Sequence, residues 1–486
     1  MRNTIKLILT LLIIPGTLFG SQNAFNLNDA IQAALNSTYA KNAELMKEIA
    51  DLDRIIYQSI YAPSVSVEGS LASDKSAKGN SFMPNTEVAG TSATYSQSLK
   101  SGTQFSANAS VYSQSLDYSD FPDQSYTDSS ISVTLEQDIW RNAFGFQDQL
   151  SLYSQDIQKT VRYLETADAL EETIYQATLG FWAVVLADKS QITNKQAMDN
   201  AKKVYELNVE KEKSGLSEPR TVQAFKANWL QKKQRYDQAV YQYDKAMDNF
   251  MTLLDLEKEP KLNESVDTYL KLLNSAKLAY NWTEQSQKLR RYQIAQLKEK
   301  GHEIAIAQAL DNIKPKVVLF GSAGFNGVED ELFDSISAVP SFQNLSAEVG
   351  VKMNFSSRKY SQYELQREKL KQTLQDNNTK LLEDDLQLLL KEASRYVSWL
   401  KANVETSKQI EATLKTKYQE DKKQFEVGRI NVDELIQSDD GYRQAQLETL
   451  KATYDYLQTI GYYFRVENTL LDKIGVLAKH MNQKES

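Results

Sequence analysis

The sequence predicts a mixed α and β protein in which long antiparallel helical hairpins join blocks of alternating strands, arranged as two internal structural repeats. Three observations predict it. The stretch PSVSVEGS, Pro63 to Ser70, nearly recurs as PKVVLFGS, Pro315 to Ser322, about half the chain later. Two helical stretches of equal length, Gln147 to Lys213 and Tyr360 to Glu426, each stop at a turn containing glycine. Finally, 18 Gly and 8 Pro in 486 residues are roughly 5%, against ~12% in average proteins, so few residues interrupt long helices.

Residues 1–20 read as an export signal. Arg2 and Lys6 precede the apolar run LILTLLIIPGTLFG, which is too short to span a membrane as a helix, and cleavage is expected near Ser21. From Leu27, LNDAIQAALN opens a helix that continues to about Ala62, capped by Asn28 or Asp29. At Pro63 the period drops to two. Val65, Val67, Gly69 and Leu71 share one face, and Ser64, Ser66, Glu68 and Ser70 the other.

Three further alternating segments follow, 94–99, 104–112 and 131–137, so the strands of the first repeat span 63–138. Lys100-Ser101-Gly102 reads as a tight turn, while 73–91 and 113–129 read as long polar loops. Long loops at one end and short turns at the other are the pattern of an outer-membrane β-barrel, with Trp140 and Phe144 at its aromatic boundary. The segment 92–112 also admits one long strand with a glycine bulge; the reading favoured is two strands, giving six per chain. Val65, Val67, Phe105, Ala107, Val133, Leu135, Val317 and Leu319 are expected to face lipid.

The helix from Gln147 would be about 100 Å long at ~1.5 Å per residue. Leu150, Tyr153, Ile157, Val161, Leu164, Ala167, Leu170, Ile174, Ala177, Phe181 and Val184 recur in steps of three and four, a coiled-coil seam. It breaks at Ser214-Gly215-Leu216-Ser217, and a returning helix runs from Pro219 to about Leu256, closing a first repeat of 27–256. The second repeat, 281–474, follows the same order: helix 281–313, strands 316–325 and 345–354 around the polar loop 326–344, then the helix from Tyr360. Its seam is read as Leu382, Leu386, Leu389, Ala393, Tyr396 and Leu400; it turns at Val427-Gly428-Arg429 and returns to near Ile474, leaving a tail of 475–486. One constant offset aligns Gly215 with Gly428, Tyr241 with Tyr454 and Tyr243 with Tyr456.

Composition limits the function. There is no cysteine, and the two histidines, His302 and His480, have no partners at metal-ligand spacing, so neither a metal site nor a cofactor is expected. A net charge of -8 argues against nucleic acid. The carboxylate runs Glu171–Glu172, Glu383-Asp384-Asp385 and Asp439–Asp440 read as solvated helix faces, not acid–base pairs. No nucleophile and base come together in the pattern, and an enzyme is not expected.

With LNDAIQAALN (27–36), the two strands led by proline, TLEQDIWRNAFGF (134–146) and VGRINVDEL (427–435), in this order and duplicated, the chain resembles the TolC-like outer-membrane efflux protein family. The resemblance implies a homotrimer whose three chains share one outer-membrane β-barrel, in contact with lipid and continued by a trimeric periplasmic α-barrel. It further implies a passive conduit for efflux or type I secretion, fed by an inner-membrane pump through a periplasmic adaptor. The helical turns, with Gly215, Leu216, Val427, Gly428 and Ile430, would then dock the adaptor. Asp433 would contribute to an acidic ring at the periplasmic entrance and Arg429 would tether the closed helices; their spacing of four also permits a local ion pair.

Two departures stand out. Six strands per chain exceed the family's four, and Ser214 stands where the family often has Val before Gly-Leu. The family's further acidic position falls at Ile436 or Gln437, so a second ring is missing or shifted to Glu434. The competing class is an exported trimeric coiled-coil stalk without channel activity, which would account for the helices but not for the paired strand blocks.

Overall fold

A computed structural model describes residues 25–76, 84–118, 122–262, 281–340, 344–355 and 358–470. The export signal, its cleavage point, the tail and the expected helix end near Ile474 lie outside these residues. The described chain forms two compact units. One comprises 42–169 and 281–390, and the other is built from the segments before 42, from 170 to 280 and beyond 390. Among the described residues no helix is long and apolar enough to cross a membrane.

The first of these units holds a single antiparallel sheet of six strands in sequence order. They are β1 (Ser64–Asp74), β2 (Asn85–Ser98), β3 (Thr103–Asp117), β4 (Gln124–Asp138), β5 (Lys316–Glu329) and β6 (Leu345–Asn354). The segment 92–112 is therefore two strands around the turn at Lys100-Ser101-Gly102. Register fixes the faces. Val65 lies opposite Tyr95, Tyr95 opposite Ala107, Ala107 opposite Val133, Val133 opposite Ala323, and Ala323 opposite Ala347. Side chains alternate along a strand, so every odd-numbered strand residue falls on one face of the sheet and every even-numbered one on the other.

The strands run further than their apolar alternation. The expected loops 73–91 and 113–129 shrink to 75–84 and 118–123, and β5 continues to Glu329. A strand of 15 residues rises about 50 Å, longer than the ~25 Å apolar band of the expected outer-membrane barrel requires even at a tilt of ~40°. The ladder thus extends into polar sequence, where alternation gives no signal.

Helices of the same unit meet the sheet at the end opposite these loops. They are the greater part of α2 (Thr38–Gln58), the first part of α3 (Phe146–Lys213), the one-turn α5 (Trp282–Gln285), α6 (Arg290–Asn312) and the first part of α8 (Arg358–Glu426). Ile157 and Val161 of α3 bury against Ile304 of α6. The expected single helix 281–313 is interrupted, with Leu289 extended at φ -71 and ψ 115. The junction before α3 is tightly determined. Asn142, Phe144 and Gly145 all have positive φ, and a Cβ on Gly145 would lie 2.0 Å from the Lys100 carbonyl oxygen. A Cβ on Gly102 would in turn meet the Gly145 nitrogen at 2.8 Å. Asp311 at the end of α6 is 2% exposed and accepts hydrogen bonds from the Asn142 N–H (2.8 Å), Gln147 Nε2 (2.6 Å) and Lys314 Nζ (2.7 Å). Burial pushes its carboxyl up, but Lys314, the Asn142 amide and Gln147 outweigh burial and hold it below its ordinary value.

The second unit is helical: α1 (Leu27–Asn36), the rest of α3, α4 (Pro219–Leu254), the rest of α8 and α9 (Val432–Val466). Asn26, not Asn28 or Asp29, caps α1, in a capping box with Asp29. The expected continuous first helix breaks at Ser37, which is fully buried and bonds back to the Ala34 carbonyl through its Oγ at 2.7 Å. The core sets Phe181 against Trp182 at 5.1 Å and against Phe250 at 6.2 Å between ring centroids.

The expected seams lie almost in phase with the buried stripes. Ile157, Val161, Ile174, Ala177, Phe181 and Val184 are buried as expected, whereas Tyr153 is exposed. On α8 the buried stripe is Leu386, Leu390, Val397, Leu400 and Val404. Leu389 and Tyr396 sit one residue off it, Tyr396 being exposed and stacked on Trp399 at 5.4 Å. Val317, expected at lipid, is 4% exposed and belongs to the buried junction.

Candidate functional site

Both helical turns close by the same mechanism. At the first, the Leu216 N–H donates to the Lys211 carbonyl at 2.8 Å and the Gly215 N–H to that of Glu212 at 2.9 Å. At the second, the Arg429 N–H donates to Gln424 at 2.9 Å and the Gly428 N–H to Phe425 at 3.0 Å. This pairing is the Schellman motif, which needs a left-handed residue after the helix; Gly215 and Gly428 have φ +70 and +73. Leu216 and Val427 are exposed at the turns, and Ile430 is partly buried. Pro219 starts α4, and Asn431 caps α9 by accepting from the Glu434 N–H at 2.9 Å.

Arg429 and Asp433 are both exposed, and the local ion pair between them does not form. Asp433 sits in the first turn of α9, where the helix dipole favours a carboxylate. Glu434, the alternative acidic position, is engaged by the cap residue, since Asn431 Nδ2 donates to its carboxylate at 2.9 Å.

Two helical turns further along α9 lies a polar cluster that the sequence did not disclose. Lys232 of α4 has a side chain only 2% exposed and is held by Asp440 and by Asp439, the latter at 3.2 Å. Arg443 Nε reaches Asp439 at 3.3 Å, and Arg235 reaches Asp440 at 3.4 Å. Tyr418 of α8 stacks on Tyr442 at 5.9 Å; burial, followed by the charge of Asp439, pushes its hydroxyl up to about 12. The pair Asp439–Asp440 is therefore a clamp between α4 and α9 and not a solvated face. Of the other runs, Glu171–Glu172 departs from that expectation, whereas Asp384 and Asp385 are exposed as expected. Glu171 is fully buried, and Glu383 accepts from Trp282 Nε1 at 3.0 Å. A buried lysine leaves no periodic trace, so only the adjacent aspartates could have pointed to the cluster.

The sheet supplies two chemically different walls. The odd face carries Val65, Val67, Leu71, Ile131, Val133, Leu135, Leu319, Val349 and Val351, all substantially exposed. The even face carries a hydroxyl row across five strands: Ser64 opposite Ser96, Ser96 opposite Ser106, Ser106 opposite Thr134, Thr134 opposite Ser322. Ser64 and Ser96 bond at 2.7 Å, and in a neighbouring row Ser110 and Ser130 bond at 2.8 Å. Glu68, Asp128, Glu136 and Glu348 add negative charge to that face, with Lys352 reaching Glu136 at 3.4 Å. Such a sheet can separate lipid from water.

No protein-family model and no curated protein matches the sequence. Solved structures do match. The CmeC outer membrane channel of Campylobacter jejuni shares 13% identity over 94% of this chain and 91% of its own, with a TM-score of 0.70. The open-state MtrE outer membrane channel of Neisseria gonorrhoeae shares 12% over 94% and 96%, at 0.69. The outer membrane protein VceC of Vibrio cholerae shares 11% over 92% and 96%, at 0.63. Along nearly its whole length, then, this chain has the fold of the TolC-like outer-membrane channels.

Proposed function

We infer that the protein is an outer-membrane channel that works as a homotrimer, a passive conduit for efflux or type I secretion. The observation that carries this reading is one open six-stranded sheet whose middle rows set an apolar face, with Val65, Val133, Leu135, Leu319 and Val351, against a hydroxyl-rich one. An open sheet in lipid would leave the outer edges of β1 and β6 unpaired, so copies must join edge to edge and close a barrel. Six strands per chain give about 18 in a trimer, an even count as such barrels require. Leu45, Ile49, Leu52 and Ile56 on α2, with Tyr363, Leu370, Leu374 and Leu381 on α8, remain exposed at steps of three, four and seven; these are seams for neighbouring copies. Residues 1–20 serve as the export signal, and the two repeats, 27–256 and 281–474, each contribute strands and a hairpin.

The helical turns are the periplasmic surface that an adaptor contacts, and Asp433 with Arg429 forms the gate. Three Asp433 carboxylates near one axis would repel one another and attract cations. The purified full-length protein, reconstituted in planar bilayers, is expected to conduct as a heat-resistant trimer. Asp433→Asn should weaken divalent block, and Arg429→Ser should raise closed-state conductance. A trimer that never conducts would establish the stalk instead. A conducting trimer whose two variants behave like the parent would remove the gate assignment alone. Cysteines at Leu216 or Ile430 should cross-link to a periplasmic adaptor in cells.

A further inference from the structure

Between β5 and β6 the chain forms α7 (Leu332–Ala338), where the sequence reads only as a polar loop. This helix lies against the apolar face of the sheet, at the end carrying the loops 75–84 and 118–123. Ser335 is fully buried and donates from its Oγ to Ser129 Oγ at 2.7 Å or to the Gly327 carbonyl at 2.8 Å. Gly327 is needed for the fit, since a Cβ there would come within 2.3 Å of the Ser335 carbonyl oxygen. Alongside α7 opens an apolar cleft of about 720 Å³. Ala93, Ala109, Val111, Ile131 and Phe325 form its floor, and Ile336 and Val339 contribute to its lining.

We propose that this cleft holds one acyl chain of a membrane lipid whose headgroup carries a primary ammonium with N–H donors, which phosphatidylcholine lacks, of the phosphatidylethanolamine class. The inference rests on the membrane reading of the sheet. Three observations select the occupant. The cleft floor is continuous with the odd-numbered face through Val133 and Leu135, so a chain lying on that face can enter it without crossing polar surface. Leu332, Phe333 and Ile336 lie on one side of α7 and are exposed, Phe333 by 81%, as suits a helix set in the interface. The charge next to it is negative: Glu329, Asp330, Glu331 and Asp334 are exposed, and residues 326–344 contain no Lys or Arg. At the same end, among the described residues, Lys75 is engaged by Glu87 at 2.7 Å, and Lys78 lies outside them. An anionic headgroup would find no cation on this loop, whereas an ammonium would find several carboxylates.

The test uses the full-length protein in phosphatidylcholine vesicles doped with a diazirine-acyl lipid, with cross-links mapped by mass spectrometry. The dopant is phosphatidylethanolamine, phosphatidylglycerol or lipid A in parallel samples. Phosphatidylethanolamine should label Ile131, Phe325 and Ile336 at least about fourfold more than Leu135, the factor that ~0.8 kcal/mol gives for one extra buried methylene. Ala109→Trp, which fills the floor, should bring that excess down to the Leu135 level and leave Leu135 labelling unchanged; Ala93→Phe is a milder form of the same change. Equal labelling of the cleft and Leu135 would overturn the cleft inference and leave the membrane reading standing. Equal or stronger labelling by phosphatidylglycerol or lipid A would overturn the proposed headgroup. Absence of label from Leu135 as well would overturn the membrane reading and the inference with it.

Discussion

Replacing Val133 with Arg is the sharpest test of the sheet as a membrane wall. Val133 is the middle residue of the apolar run Ile131–Leu135 on β4, it is 41% exposed, and its cross-strand neighbours are Ala107 and Ala323. No side chain beside it offers a carboxylate. An arginine at that depth in a barrel wall costs about 2–4 kcal/mol, which lowers the folded-to-unfolded ratio ~30- to ~900-fold. Ser132, one residue away, points to the other face, between Asn108 and Gly324. Arginine there meets water and should cost under ~0.5 kcal/mol. Denaturant titration of the two variants and the parent in lipid vesicles, followed by tryptophan fluorescence, measures both. Equal costs would refute the assignment of odd residues to lipid, and a larger cost at Ser132 would invert it.

Three further changes probe the joints. Gly145→Ala places a Cβ against the Lys100 carbonyl oxygen at φ +79 and should destabilise by about 3 kcal/mol or more, read as a lowered thermal midpoint. Asp311→Ala strands the Asn142 amide and should cost about 2–4 kcal/mol in denaturant titrations. Because the folded Asp311 carboxyl is held below its ordinary value, its contribution is present above ~pH 4 and lost as pH falls through the folded value. Asp311→Asn should therefore flatten the acid limb of the stability curve, and an unchanged limb would count against the network. Lys232→Met removes one of two cations from each aspartate, Arg443 and Arg235 remaining, and should cost about 1–3 kcal/mol in the same titrations.

Features that repeat along the chain were legible in the sequence. The period of two set the faces of β1, β3 and β4 correctly, because one lipid-type face and one water-type face oblige alternation. Glycines at 215 and 428 marked the turns because only a left-handed residue closes a Schellman motif cheaply. Features resting on single distant contacts were not legible. The break at Ser37 follows from one hydroxyl bonding its own chain, and α7 from the fit of Ser335 onto Gly327. Lys232 looks like any surface lysine until α9 brings Asp439 and Asp440 to it. The α8 seam slipped by one residue because Leu388, Leu389 and Leu390 are consecutive and equally apolar, so only packing chooses among them.

The contact of Gly102 with Gly145 has a mechanical meaning. Backbone touches backbone there, with no side chain between to act as a spring, so the β2–β3 turn and the start of α3 behave as one stiff part. Asp311 bolts the end of α6 to the same part through the Asn142 amide. A load on the first turns of α3 is therefore shared directly with the β2–β3 turn. Strain within this unit is taken up away from the joint, where side chains rather than backbone form the contacts, as between Ile157, Val161 and Ile304.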